Sequence, residues 1–524
     1  ETFQEDVRHV CYATTWFNKH LKQEVGKGCI SKTIDDMLSM ENKIINAYNG
    51  SGFDYYFLID ELTSRNVNVE NIILNNGKVM SFTFGKGNKV FDLYLFIMSS
   101  LDNACNDFKL EVKKQKFDHT KVKSWNDVQR LQKEIMLYNK YDVLSLKELF
   151  EKFNDMMFQT CKVNITKFVS AGHMAYEIWS SMLKEPIEIL KEIKKYEFVN
   201  KATFGGRCYP QQKKYISKYY EQVTSNQMNY KDLLKTKQFI FNADVTSLYP
   251  ASMSGFDLVD VDYPIGFSRW SNKPKDEFAN KKIGFYHIKF VCPKDLRVPI
   301  LPRRRYYNGA NVGIDWSLED GEGIYTNVDI EHAIEFGYNV EFINDCLVWD
   351  KKGKVFNEYI DKFFDIKCKA EKEGNEVLRN LAKLMLNSLY GKTLQKARFN
   401  NTKLINNVFE LNNFIVDHEL EDFIIINDNK LLVTGNSKTK EKKITKPNHL
   451  GSFVTAYSRR IMLHYMSAID PALKTQIFTY SDTDSLRITG EAYFKLLQKN
   501  MIVDKSNAKL GYLTNDIKKG GIII

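Results

Sequence analysis

Residues 479–486 read TYSDTDSL, two carboxylates one residue apart between the apolar runs QIF and LRI. Like charges that close repel, and a cation offsets the cost. QIFTY reads as a strand, SDTD as a tight turn and SLRIT as the returning strand. Residues two apart in extended backbone share a face, so Asp482 and Asp484 can aim at one ion. An oxygen-only pair with no His or Cys beside it in the chain suits a hard cation such as Mg²⁺. The same residues also make an ordinary Asx-rich hairpin turn.

Two further stretches pose the same kind of choice. In FNADVTSLYPASM (241–253) a buried strand delivers Asp244 to its C-terminal end, and a helix starts near Ser247. Asp244 and the Val245 carbonyl are oxygen ligands on a rigid edge, with backbone N–H groups that favour phosphate; alternatively Asp244 simply caps the helix. In LAKLMLNSLYGKT (381–393), Lys383, Asn387 and Tyr390 fall at i, i+4 and i+7, so a cation, an amide and an aromatic ring share one helix face. That face grips phosphate, or it is a solvated face ending at Gly391. Lys367, on the preceding helix, belongs to the same question.

In order, DxxSLYP, KxxxNSxYG and YxDTD are the patterns that mark family B DNA polymerases. The chain resembles that family at Asp244, Ser247, Leu248, Tyr249 and Pro250, then at Lys383, Asn387, Ser388, Tyr390 and Gly391, and finally at Tyr480, Asp482, Thr483 and Asp484. Three such patterns in sequence are highly specific. The resemblance implies that Asp244 and Asp484, with the Val245 carbonyl, hold two Mg²⁺ ions (or Mn²⁺), and that Asp482 completes the acidic cluster. It also implies that Lys383 and Lys367 grip dNTP phosphates and that Asn387 and Tyr390 line the new base pair. Ser247 and Leu248 then lie at the nucleotide, and the Tyr249 ring lies under the deoxyribose, where it collides with a 2′-hydroxyl.

The N-terminal third extends the resemblance. YNGSGFDYYF (48–57) looks like the family's second exonuclease motif and YNKYD (138–142) like its third. Asp54 and Asp142 are then metal carboxylates of a 3′–5′ exonuclease, with Tyr138 one turn from Asp142. Asn49, Phe53 and Phe57 are placed to hold single-stranded DNA, with Thr2 beside them. The first motif, DxET, is met only by Glu1 and Thr2. Its Asp is not in the sequence, which puts proofreading in doubt.

These sites need elements to carry them. The resemblance implies an α/β and α+β multidomain fold, a ribonuclease H-like exonuclease domain followed by a right-hand polymerase with palm and fingers. Residues 1–185 are expected to form the exonuclease-like domain. The first part of the palm, with an inserted priming segment, spans 186–352, and the fingers helical hairpin spans 353–391. An inserted DNA-enclosing segment covers 392–450, and the second part of the palm, with the catalytic hairpin, covers 451–524. Helical spacing marks about 126–158, 354–372, 376–390 and 453–468, whereas NVFELNNFIV reads as strand-like alternation. TFGG, with Thr203, Gly205 and Gly206, reads as a hinge near DNA. Both inserted intervals resemble those of the protein-primed branch, in which the first engages a terminal protein and the second encloses DNA. Lys438, Lys440, Lys442, Lys443 and Lys446 touch DNA phosphates or form a solvated loop.

A formal net charge of +10 and 63 Phe and Tyr residues agree with a nucleic-acid partner. The eight scattered cysteines make no CxxC pair, which disfavours a zinc site or disulfide framework and favours a reducing interior. No apolar run reaches membrane-spanning length, and ETFQEDVRHV is not a signal peptide. By resemblance the setting is intracellular, in a mitochondrion with a linear plasmid or in cytoplasm or a virus. The reading expects a fragment, opening inside one motif and stopping before the family's KxY motif and thumb, and therefore a weak grip on DNA. The rivals are a family B enzyme extending nucleic-acid primers, an RNA-templated polymerase (whose catalytic peptide usually reads xDD) and a non-catalytic DNA-binding remnant of the fold.

Overall fold

A computed structural model describes the chain apart from residues 6–7, 212–218, 220, 223–224, 226, 229–231, 233–234, 237, 309, 397–399, 439–443, 505–508 and 516–524. The chain divides into two compact units. The first comprises residues 1–178, 365–385 and 397–443, and the second comprises 179–364, 386–396 and 444–524. Both helices of the central hairpin, Asn357–Lys372 and Glu376–Thr393, are shared between the units.

In the first unit a four-stranded sheet runs in the order Ile44–Ala47, Asn88–Asp92, Lys78–Phe84, Val69–Asn75. The first pair is parallel and the others antiparallel, the mixed pattern of an α/β domain. KVMSFTF buries Val79, Ser81, Phe82 and Phe84, and the helices Cys29–Leu38 and Asp54–Ser64 add Ile34, Tyr55, Ile59 and Leu62 to the same core. Leu432, fully buried, belongs to this core although it lies hundreds of residues away. The long helix Gln132–Cys161 follows a short one, Trp125–Arg130, whose Ser124 side chain accepts the Asp127 N–H as a cap.

The segment around Leu432 forms a three-stranded antiparallel sheet with Lys430–Ser437 between Asn400–Ile405 and His418–Asn427. Here one expectation is corrected. NVFELNNFIV is not a strand, because Val408–Asp417 is a helix. The Asn407 side chain accepts the Glu410 N–H at 2.9 Å, and the Glu410 carboxylate accepts from the Asn406 N–H and the Asn407 amide. This reciprocal cap outweighs an alternation that Leu411 and Phe414 also satisfy at helical spacing.

The second unit is built on a six-stranded sheet in the order Ile502–Val503, Leu513–Asn515, Ile240–Val245, Ser485–Thr489, Phe478–Asp482, Cys208–Pro210. All its pairings are antiparallel except the first. A second sheet, Tyr263–Ser271, Cys346–Gly353, Ile283–Val291 and Gly321–Thr326, comes from the first inserted interval, with Asn339–Phe342 also paired to Ile283–Val291. Arg303–Tyr307 and Ala310–Asp315 form a separate hairpin. The helix Asn448–Ile469 starts earlier than its apolar spacing suggests and is buried along most of its length. Among the described residues no helix is long and apolar enough to cross a membrane.

Candidate active sites

Strand pairing brings residues far apart in sequence to one sheet end. Asp244, near the end of its strand, is opposite Ser485 on one side and Thr514 on the other. The next N–H, that of Val245, donates to the Asp484 carbonyl at 2.8 Å, so Asp484, in the hairpin turn, lies beside the Asp244 strand at the same end of the sheet. Asp482 is opposite Ser485 within the hairpin and opposite Cys208 across it. Thr483 turns the chain with a left-handed φ of 52°. Gly206 packs so closely on this turn that a Cβ there would lie 2.8 Å from the Thr483 Cα, and the Thr483 N–H donates to the Arg207 carbonyl at 3.0 Å. Of the glycine pair expected as a hinge, Gly206 is required by close approach, whereas a Cβ on Gly205 would meet only Ile314 Cδ1 at 4.0 Å. Thr203 is tied to Ser452, Oγ1 to Oγ at 2.5 Å.

Ser247 adopts φ 55°, ψ 60°, and this left-handed residue swings the strand directly into the helix Leu248–Ser254. Leu248 is buried as an anchor. Tyr249 stacks on Tyr390 with ring centroids 4.0 Å apart and planes at 14°. Burial raises both phenols above their usual range, so both stay neutral. Along Glu376–Thr393 the residues Leu381, Ala382, Met385, Leu386 and Leu389 are buried, whereas Lys383 and Asn387 are exposed on the face that also carries Tyr390. Asn387 and Tyr390 belong to the second unit, and Lys383 and the buried Lys367 to the first. Phosphate contact by these two lysines remains an expectation. So does DNA contact by the basic loop: Lys440, Lys442 and Lys443 lie outside the described residues, and Lys438 Nζ donates to the Ile415 carbonyl at 2.7 Å.

Cys208 is a residue that motif reading passes over. Its thiol donates to Asp482 Oδ1 at 3.1 Å, across 274 positions of sequence. Burial and the neighbouring carboxylate raise its pKa, which keeps the proton on sulfur.

The first unit holds a second acidic cluster. Asp54 opens its helix, reachable by solvent yet surrounded by enough protein that burial raises its carboxyl, with Glu1 and Asp92 adding to the effect. Asp142, one turn after Tyr138, is likewise raised by burial, opposed by Lys114, whose ammonium donates to Oδ2 at 2.9 Å. The same ammonium lies 5.0 Å from the Tyr138 ring centroid. Burial would lower the Lys114 pKa, but Tyr138 and Asp142 together raise it. Glu1 lies 3.5 Å from His119 Nδ1, and the His119 ring meets Tyr138 edge-on at 5.1 Å. Lys114 and His119 carry no motif and only the fold reveals them.

The loop before Asp54 is pinned by Asp92, which accepts the N–H groups of Asn49 (2.7 Å), Ser51 (2.9 Å) and Tyr94 (3.0 Å). Asn49 is left-handed at φ 63°, and Phe53 meets Phe57 edge-on at 5.2 Å, leaving Phe53 exposed. Thr2, in the strand beside Cys11, has its Oγ1 3.3 Å from His9 Nδ1.

Both clusters fit a hard divalent cation. Among the described residues no three His, Cys, Asp or Glu side chains form a ready cage. Mg²⁺, however, is commonly held by one or two carboxylates together with substrate phosphates and water. Asp142 Oδ1 is buried without a hydrogen-bond partner, an acceptor that a cation would satisfy.

Asp244, Asp482 and Asp484 thus gather at one end of the six-stranded sheet of the second unit, and the first unit carries acidic residues of its own, Asp54 and Asp142. The chain belongs to the family DNA polymerase type B, organellar and viral, whose model matches residues 34–132 and 124–471. It is 27% identical to a DNA polymerase of Kluyveromyces lactis over 96% of this chain and 52% of that protein. It is 29% identical to the DNA polymerase of Bacillus phage phi29 over 52% of this chain and 41% of that protein. The chain spans about half the length of the curated relatives it matches. In structure it is similar to phi29 DNA polymerase complexed with primer-template DNA and incoming nucleotide substrates, with a TM-score of 0.69 and 19% identity, covering 98% of this chain and 83% of that one. The same polymerase complexed with single-stranded DNA gives 0.68.

Proposed function

We propose that the protein is a DNA-templated DNA polymerase that adds dNMP to a primer hydroxyl, with an associated 3′–5′ exonuclease. The observation that carries the reading is the pairing of the Asp244 strand with the Asp482–Asp484 hairpin, beside the Tyr249–Tyr390 stack. Asp244 and Asp484 are the residues that would hold Mg²⁺, two ions per site by family analogy, with Mn²⁺ as a substitute. When bound, divalent metal polarises the primer hydroxyl and neutralises triphosphate charge. Asp482, fixed by the Cys208 thiol, adds negative charge that attracts the cations. Tyr249, held flat on Tyr390, offers a rigid surface to the sugar and leaves no space for a 2′-hydroxyl. In the first unit Asp54 and Asp142 are the carboxylates for hydrolysis of a 3′ end, Lys114 orients Asp142, and Phe53 and Phe57 offer rings to unpaired bases.

Template-primer DNA and dNTPs are the proposed substrates. The similarity to the phi29 protein supports a protein-primed mode, with a terminal protein supplying the first hydroxyl, in replication of a linear DNA element inside a cell or virus. Metal-dependent extension of a labelled primer by this chain tests the reading. Extension should require Mg²⁺ or Mn²⁺ and vanish in Asp484→Ala, and no extension under any metal condition would refute it. Transfer of dNMP from a labelled dNTP to a protein hydroxyl tests protein priming separately.

A further inference from the structure

Residues 200–208 determine where the catalytic turn sits, because Gly206 abuts Thr483 and the Arg207 carbonyl receives its N–H. The carbonyls of this segment are held by two guanidinium groups. Arg459 Nη1 donates to the Phe204 and Gly205 carbonyls at 2.7 and 3.1 Å, while its Nε and Nη2 pair with the Asp329 carboxylate at 2.9 and 2.8 Å. Arg304 holds the other end. Its Nε donates to the Lys201 carbonyl at 3.1 Å, and its Nη2 to those of Asn200 and Thr203 at 2.6 and 2.8 Å. The Arg304 guanidinium also lies 4.9 Å from the centroid of the Phe204 ring, which stacks in turn on Tyr325 at 5.3 Å.

Arg304 sits on the hairpin of the inserted interval assigned, by resemblance, to engaging a priming protein. A docking arginine keeps its donors free, whereas Arg304 gives its donors to three backbone carbonyls, and burial lowers its pKa. The next residues of the same strand, Arg305, Tyr306 and Tyr307, remain exposed. Within one strand, therefore, Arg304 turns to the 200–208 segment and the residues after it face solvent.

We infer that Arg304 is a positioning residue for nucleotide addition, bracing segment 200–208 and through it the Asp482–Asp484 turn. This rests on the polymerase reading above. A lysine keeps the charge but has no planar fork to span three carbonyls, so Arg304→Lys isolates geometry from charge.

Two measurements on the 524-residue chain test the inference. In primer extension with Mg²⁺, Arg304→Lys should lower kcat about 10- to 100-fold, the effect of a misplaced reacting group, with the dNTP KM and the melting temperature nearly unchanged. Wild-type kcat in Arg304→Lys, or an activity loss that only tracks a falling folded fraction, overturns the inference. Amide exchange at Thr483 supplies a readout independent of catalysis, and it should speed up about ten-fold in Arg304→Lys as the bond to the Arg207 carbonyl loosens. Unchanged exchange overturns the brace even where kcat falls. Faster exchange in a chain that never extends a primer would leave the brace standing and refute the polymerase reading instead.

Discussion

Asp482 and Asp484 keep their repulsive arrangement because the turn that carries them is over-determined. Cys208 donates to one carboxylate, and Thr483 is fixed in a left-handed conformation by Gly206 and Arg207. Asp484→Ala should therefore reduce nucleotide addition by about 10³-fold or more while duplex binding and melting temperature stay near wild type, as measured by single-turnover extension and gel shift. Retained extension would remove the metal assignment. Tyr249→Val opens the space beside Tyr390 and should raise the ratio of ribonucleotide to deoxyribonucleotide incorporation by about 10- to 100-fold, the scale of one steric contact. An unchanged ratio would place sugar selection elsewhere.

At the scale of elements, close approach governs the Asp482–Asp484 hairpin. Gly206→Ala places a methyl group 2.8 Å from backbone and side-chain atoms of Thr483, so the turn must move. Overpacking of this kind costs about 1–3 kcal/mol, visible as a lower urea midpoint together with reduced kcat. The carboxylates, Tyr249 and Tyr390 each within its own motif, and the strand–turn–strand around DTD were legible in the sequence because each belongs to a local pattern with fixed spacing, whereas the stacking of the two tyrosines was not. Lys114, His119 and Cys208 were not, since a single residue carries no spacing, and only the folded chain reveals that it meets Asp142, Glu1 or Asp482. The helix Val408–Asp417 was misread because an apolar run of that length satisfies both periods. Its start is decided by the Asn407–Glu410 cap.

For the whole molecule, two buried imidazoles tie stability to pH. Burial, with Arg460 adding, lowers the His332 pKa to about 4, and burial alone lowers that of His449, stacked on Trp349, to about 3. Both stay neutral in the fold and take up protons near pH 6.5 when it opens. Their stabilisation is complete above about pH 6.5 and lost as pH falls towards 4, at about 1.4 kcal/mol per group per pH unit. Urea midpoints should fall accordingly from pH 7 to pH 5, and His449→Phe should remove its share of the slope. Leu432→Ala should cost the first unit about 2–5 kcal/mol, read by amide exchange in Lys78–Phe84, because its side chain fills a core shared with Ile34, Tyr55 and Phe82.

That shared core imposes an order on biosynthesis. Ile424 and Leu432 leave the ribosome long after the strands they cover, and Asp422, which accepts the Gly77 N–H at 2.7 Å, leaves with them. Until then the Asp54–Ser64 helix and the Val69–Asn75 strand lack these apolar neighbours, a state prone to aggregation during translation. A nascent chain released at residue 178 should need a chaperone or precipitate, whereas adding residues 397–443 as a separate peptide should rescue its solubility.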